Sequence, residues 1–346
     1  MTDLAQLLER VSNGENGVAA RALVAEGAAA VDPVVDALRS AKGPSARRLR
    51  EVLVSIRDPD AVPRLVERMD DKTVDVALGV FAALGASRDA RATGPLLVYA
   101  AGGSTGELRQ ALAVEALGAL GDRSATDALA EVAKNAEQDG LPLLLAAAVT
   151  SLARLGNHEQ APALLRAWRE ETDPIELTRY VSALTHVVAP GVLEALVESV
   201  KRSDDPETQR EAFRGLQYLG SADAATALAE AAADPNTSDP SEALFRLRAI
   251  TGTDEPADDL EPGVVHRLGH PLEVSDLIPL LDEASQPRVI LDELEVITGE
   301  RFGDPPIVPQ GAESPRERAE SWRRDNGDRF EAGRLYKFGY PQELPL

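Results

Sequence analysis

Histidine is the side chain best suited to bind a metal or move a proton near neutral pH, and this sequence has four: His158, His186, His266 and His270. A histidine–carboxylate metal site needs several such ligands to converge. Only His158 has an adjacent acid, Glu159, and the pair follows Gly156-Asn157, where a solvated turn is expected instead of a ligand pair. His266 and His270 are spaced i, i+4, but Gly269 and Pro271 break a helix there, and their matched positions downstream are Tyr336 and Tyr340; packing is expected of them. There is no cysteine, which removes disulfides, thiolate metal sites and a thiol nucleophile together. Gly102-Gly103-Ser104-Thr105-Gly106 is glycine-rich but lacks the lysine of a phosphate-binding loop. No serine stands in a nucleophile elbow. The acidic run from Asp254 to Glu261 lacks calcium-loop spacing and reads as a solvated linker. The expectation is a protein that is not an enzyme, with no catalytic, metal-binding or cofactor-binding residues and no cofactor.

Recognition is a different chemistry, and here the rings matter. Aromatics and arginine are enriched at the centres of protein interfaces. Trp168, Trp322, Phe330, Tyr336, Phe338 and Tyr340 are the candidate partner-binding residues. The last five either form a docking patch or pack down as a cap on the preceding helices. On the first reading, replacing Trp322 and Tyr336 by alanine weakens partner capture and leaves residues 1–236 folded.

Helices must position these residues. Hydrophobic residues make up 44% of the chain but aromatics only 4%, so the apolar content is mostly Ala, Leu and Val. Ala and Leu form helices readily, and small side chains let helices approach closely. A β-sandwich or barrel would draw more heavily on Tyr, Phe, Ile and Thr. The net charge of −22 repels phosphate, so neither nucleic acid nor an anionic membrane surface is an expected partner. No basic, apolar signal segment opens the chain and no uncharged apolar run of about 18 residues occurs, so a cytoplasmic protein is expected.

The helical pattern repeats. Leu-Gly pairs recur at Leu84-Gly85, Leu120-Gly121, Leu155-Gly156 and Leu219-Gly220, with Leu184-Thr185-His186 as a drifted copy and Ile56-Arg57-Asp58 in the same slot upstream. The stretch before each pair has a 3.6-residue period; glycine ends that helix, a polar turn follows, and a second apolar stripe begins, such as Leu129 and Val132 or Leu164, Leu165 and Trp168. Such a helix pair buries its apolar faces only by stacking on its neighbours. About seven units are expected, at 14–43, 44–71, 72–104, 105–138, 139–172, 173–204 and 205–236, after a capping helix in 1–13.

The last third, 237–346, reads as a separate module containing a duplication. Leu244, Leu247 and Ile250-Thr251-Gly252 match Leu291, Leu294 and Ile297-Thr298-Gly299. Residues Gly263 to Pro271 match Gly333 to Pro341 in a shared pattern: glycine, two variable positions, a ring, a base, an apolar residue, glycine, a ring and proline. The second copy has an inserted amphipathic segment, Ser314 to Arg329, centred on Trp322 and opening with a good helix start at Pro315.

On these motifs the first 236 residues resemble HEAT-repeat proteins, including the phycobilin-lyase group. The Ile-Thr-Gly-x-x-Phe helix end, Trp322, Asn326, Phe330, Gly333, Tyr336, Gly339 and Pro341 resemble HEAT-containing proteins found beside type VI secretion genes. The resemblance implies an all-α fold: an α-solenoid of HEAT-like helical-hairpin repeats over 1–236, with an irregular duplicated cap module over 237–346. HEAT-fold di-iron hydroxylases use several His-Glu pairs where this chain has one, and HEAT-like DNA glycosylases use a basic face that its charge opposes. The expected function is a monomeric scaffold holding a protein partner in a groove lined by second helices. The rivals are a lyase-type protein cradling a bilin chromophore, and a structural spacer.

Overall fold

In the computed structural model the described residues are 4–14, 17–102, 106–253, 260–271, 274–283, 287–309 and 311–343. The expected glycine loop at 102–106 and the acidic run at 254–261 fall largely outside them. The architecture is an all-α solenoid. Helix α1 (Leu4–Ser12) comes first. Helix pairs follow: α2 (Gly17–Ala25) with α3 (Ala28–Leu38), α4 (Gly43–Ser55) with α5 (Ala61–Glu67), α6 (Val74–Ser87) with α7 (Thr93–Ala101), and α8 (Glu107–Leu120) with α9 (Thr126–Asp139). The pairing continues with α10 (Pro142–Arg154) and α11 (Ala161–Glu170), α12 (Pro174–Leu184) and α13 (Val192–Arg202), and α14 (Pro206–Leu219) and α15 (Ala222–Ala233). Then come α16 (Pro240–Thr251), α17 (Val274–Glu283), α18 (Pro287–Thr298), α19 (Pro315–Asn326), and a two-stranded hairpin, β1 (Tyr336–Lys337) and β2 (Tyr340–Pro341).

Contacts gather the chain into two compact units, Met1–Val132 with Asp304–Ser314, and Ala133–Gly303 with Pro315–Leu346. This partition runs along different lines from the compositional border at 236. In the first unit α4, α6 and α8 stack side by side, burying Leu49, Leu53, Val80, Leu84, Val114 and Leu117 completely. The segment 304–314 joins this unit through the Ile307 N–H, which donates to Ser55 Oγ at 3.1 Å. In the second unit α10, α12, α14 and α16 stack in the same way, so the ladder of first helices extends past 236 by one member.

Local chemistry explains where these helices start and stop. Asp173, Asp205, Ser221 and Asp239 cap α12, α14, α15 and α16 with side-chain oxygens that accept first-turn N–H groups. Proline occupies the first turn of α10, α12, α14 and α16, where its missing N–H costs nothing. Gly121 and Gly220 end α8 and α14 in the left-handed conformation, as expected. Gly85 does not: α6 runs on to Ser87, and Arg88 takes the left-handed position instead. Gly85 serves packing, since a Cβ there would lie 3.0 Å from Ala116 Cα on α8. Two helices crossing that closely tolerate only glycine at the contact.

Candidate functional site

The duplication in the last third is a duplication of structure. Residues 267–270 and 337–340 each form a tight hairpin turn, with a bridge between Arg267 and His270 in the first copy and a pair between Lys337 and Tyr340 in the second. Each turn folds back on the helix of its own copy. The N–H groups of Leu268 and Gly269 donate to Ala249 O at 3.0 Å and Ile250 O at 2.7 Å. Those of Phe338 and Gly339 donate to Val296 O at 2.6 Å and Ile297 O at 2.7 Å. The last carbonyls of α16 and α18 have no partner within their own helices, so each hairpin supplies the missing donors. The glycines at Ile-Thr-Gly are needed for the approach: a Cβ on Gly252 would come 2.7 Å from Leu268 O, and one on Gly299 2.8 Å from Phe338 O.

Each hairpin also sends its base into the stacked first helices. Arg267, 5% exposed, donates from Nη2 to Tyr218 O at 3.1 Å, at the end of α14. Its Nε stands 3.3 Å from the Glu293 carboxylate of α18, which is also buried. Lys337 is 0% exposed; its Nζ donates to Thr185 O at 3.1 Å, at the end of α12, and lies 4.9 Å from the centroid of the Tyr218 ring. Cations suit these places because a helix ends in unpaired carbonyls and the negative pole of its dipole. The network continues outward. Glu293 accepts from Gln217 Nε2 on α14. Gln217 Oε1 accepts from Arg246 at 2.6 Å, and Arg246 pairs with Glu242 at 2.7 Å on α16.

Burial dominates the electrostatics here. It pushes the Lys337 amine down to about 7, helped by Arg267 and opposed by Glu293. Burial first, and then Lys337, pushes His158 down to about 4. His186 is held well below its ordinary value by burial and then by Arg154, Arg214 and Lys337. The Tyr218 hydroxyl is pushed up by burial and by Glu293. Lys337 is bonded to Thr185 O, and His158 Nδ1 accepts from the Val188 N–H at 3.4 Å, while His158 Nε2 and His186 Nδ1 are buried without a hydrogen-bond partner among the described residues. Lys337 has no exposed surface through which to react with a substrate. No cluster of three or more His, Asp or Glu residues able to hold a metal occurs among the described residues.

The structure revises the expected aromatic docking patch, which would need exposed rings. Phe330, Tyr336 and Phe338 are 8%, 5% and 6% exposed. Trp322 is half-buried against Phe302 and Phe330, with ring centroids 5.5 and 5.7 Å away. Phe330 in turn stacks on Tyr336 at 4.8 Å, and these rings join Leu277, Ile278 and Leu294 in the core of α17–α19. Phe338 lies 5.7 Å from the His186 ring and beneath the Arg154 guanidinium. Tyr340 covers Gly156, where a Cβ would come 2.6 Å from the ring. Trp168 is separate from them all: it is 1% exposed, and its Nε1 donates to Ser199 Oγ at 3.0 Å on α13. Four of the six rings, Trp168, Phe330, Tyr336 and Phe338, are buried, and Trp322 and Tyr340 are partly buried against their neighbours. The hydrophobic effect draws them in because the small-residue helices leave gaps that only large side chains fill.

What remains open is the surface of the second helices. Between α13 and α15 lies a cavity of about 470 Å³ whose lining includes Val197, Val200, Leu216 and Ala231, with Lys201, Asp204, Glu230 and Asp234 around it. Sequence reasoning placed a groove on the second helices but not at this interval. The available signal was the composition of α15, eight of whose twelve residues are alanine. Sequence reasoning also missed Gln217, Tyr218 and Glu293 as partners of the two bases; the matched base in each copy was the clue.

Residues 95–185 match the family described as HEAT repeats. No curated protein matches the chain. Among solved structures, human deoxyhypusine hydroxylase in complex with glycerol is 21% identical, covering 78% of this chain and 96% of that one, with a TM-score of 0.33. The complex of CpcE and CpcF of phycocyanin lyase from Nostoc sp. PCC7120 is 15% identical, covering 85% and 94%, with a TM-score of 0.36. An engineered protein is 18% identical, covering 87% and 91%, with a TM-score of 0.36. No helix among the described residues is long and apolar enough to cross a membrane.

Proposed function

For a helical-repeat chain with HEAT repeats at 95–185, we propose a non-enzymatic role as a scaffold or adaptor that binds a partner protein on its second-helix surface. The observation that carries this reading is the division of labour within the helix pairs. First helices spend their apolar surface on one another, and the ends of α12 and α14 are closed by the two hairpins. Second helices bury one stripe and leave the other face to solvent, as α13 does with Glu194, Glu198 and Lys201. Stacked repeats of this kind present extended surfaces that recognise other chains. The protein acts as a cytoplasmic monomer, and its charge of −22 selects against nucleic acid. The C-terminal resemblance to proteins encoded beside type VI secretion genes makes components of such a system the first partners to test.

The test is chemical cross-linking of the full-length protein in native lysate, followed by mass spectrometry. A specific partner linked through second-helix lysines such as Lys134 and Lys201 is the expected result. Recovery of no cross-linked protein sinks the reading.

A further inference from the structure

We propose that the groove between α13 and α15 docks a basic segment of the partner protein, one in which a bulky apolar side chain stands beside an arginine or lysine. This rests on the scaffold reading above. The preceding interval of the same unit supplies the template. Between α11 and α13 the gap between successive second helices is filled from within by the Trp168 indole. The Arg202 guanidinium lies 5.5 Å from the ring centroid and donates to Trp168 O at 3.0 Å and to Glu171 O.

The next interval lacks both groups. Three residues after Leu165, Leu196 and Leu228, all buried, stand Trp168, Ser199 and Ala231. Three residues further on stand Glu171, Arg202 and Asp234. In the α11–α13 interval the leading helix supplies the indole and the trailing helix the guanidinium; in the α13–α15 interval those two positions carry the Ser199 hydroxymethyl group of α13 and the Asp234 carboxylate of α15. The cavity of about 470 Å³ occupies this interval, within the size range of side-chain and ligand pockets. Its lining includes the aliphatic side chains of Val197, Val200 and Leu216 beside the polar ones of Gln209, Asn236 and Thr237. Its rim carries Asp204, Glu230 and Asp234, all exposed, against Lys201. Asp204 and Glu230 make no ion pair among the described residues. The groove is thus complementary in shape and in charge to the pair of groups that close the interval before it: an apolar body and a cation.

The probe is a fluorescein-labelled synthetic peptide of two Leu-Arg-Trp-Ala-Arg-Leu repeats, titrated with the full-length protein and read by fluorescence anisotropy. A second peptide has every Arg replaced by Glu. Saturable binding of the Arg peptide alone is expected. Glu230→Lys is expected to weaken it by about tenfold. Ala231→Trp, which puts an indole on the groove wall that Ala231 lines, is expected to weaken it similarly. Glu159→Lys, an exposed acid outside the groove, is expected to leave it unchanged. No binding of the Arg peptide overturns the proposal, and so does equal binding of the Glu peptide. An affinity unmoved by Glu230→Lys overturns it even if Ala231→Trp fails to fold, and an equal loss in Glu159→Lys overturns it as bulk charge attraction. A partner cross-linked equally to wild type and to Glu230→Lys overturns the groove while the scaffold reading stands; no partner cross-linked to wild type sinks the scaffold reading itself.

Discussion

Arg267 and Lys337 stand at the same position in two copies of one hairpin, and each donates to the last turn of a different first helix, at Tyr218 and Thr185 respectively. The two cations differ in what they ask of their surroundings. Arg267 has the Glu293 carboxylate beside it. Lys337 has a neutral carbonyl and the face of a phenol ring. A buried cation supported this sparsely is costly to keep charged.

Lys337→Met is therefore expected to stabilise the protein near pH 6. It keeps the volume of the chain and removes the desolvation cost, at the loss of one hydrogen bond to Thr185 O; a net gain of about 1–3 kcal/mol is expected. The advantage should shrink with rising pH. In the wild type the amine titrates at about 7 when folded, against its ordinary 10.5. Between these limits the unfolded chain binds more protons, so wild-type stability rises with pH across that window and is level below it. Thermal melts of both proteins from pH 6 to pH 10 measure this. A variant advantage that grows with pH contradicts the assignment.

The buried histidines make the opposite end of the pH range harmful. His158 is neutral in the fold down to about 4, against an ordinary value of 6.5, and His186 is also depressed. Only the unfolded chain takes up these protons as pH falls below 6.5, so stability drops from there toward pH 4. A His158→Gln, His186→Gln double variant should show a shallower loss over that window. Urea midpoints at pH 4.5 and pH 6.5 provide the comparison.

The two hairpin turns carry their own strain. Leu268 and Phe338 have φ of 53° and 50°, a region costly for residues with a Cβ. Leu268 is 41% exposed, so its side chain contributes little packing. Leu268→Gly is expected to raise stability by about 0.5–1 kcal/mol, the strain relieved less the added freedom of the unfolded chain. Gly339→Ala should act the other way, because its Cβ would meet Thr298 O at 2.8 Å; a loss above about 2 kcal/mol is expected. Differential scanning calorimetry separates the two signs.

For the ring cluster the structure changes the expected phenotype. Tyr336→Ala opens a cavity among Phe330, Leu294 and Val274 and leaves the Glu331 N–H without the hydroxyl it donates to at 3.0 Å. A destabilisation of about 3–5 kcal/mol follows, whereas the docking-patch reading expects Trp322→Ala with Tyr336→Ala to weaken partner capture and leave residues 1–236 folded. A Tyr336→Ala protein with an unchanged melting temperature and impaired partner capture would return the docking patch to consideration.

The sequence by itself determined the helices, their pairing and the repeat. Local chemistry sufficed: capping residues at Asp173 and Asp205, proline in first turns, left-handed glycine at Gly121 and Gly220, and apolar stripes at a 3.6-residue period. It also showed the duplication, because matched turns need matched residues. Only the tertiary structure decided which rings were buried, since Trp168 and Tyr336 are sealed by residues distant in the chain, such as Ser199 and Leu294. It alone turned Gly85 from a helix end into a helix contact with Ala116. It alone brought Lys337 to Thr185 across 152 residues. Helix caps and periods act between near neighbours and are written in the local sequence, whereas burial depends on which surfaces meet after the chain has stacked.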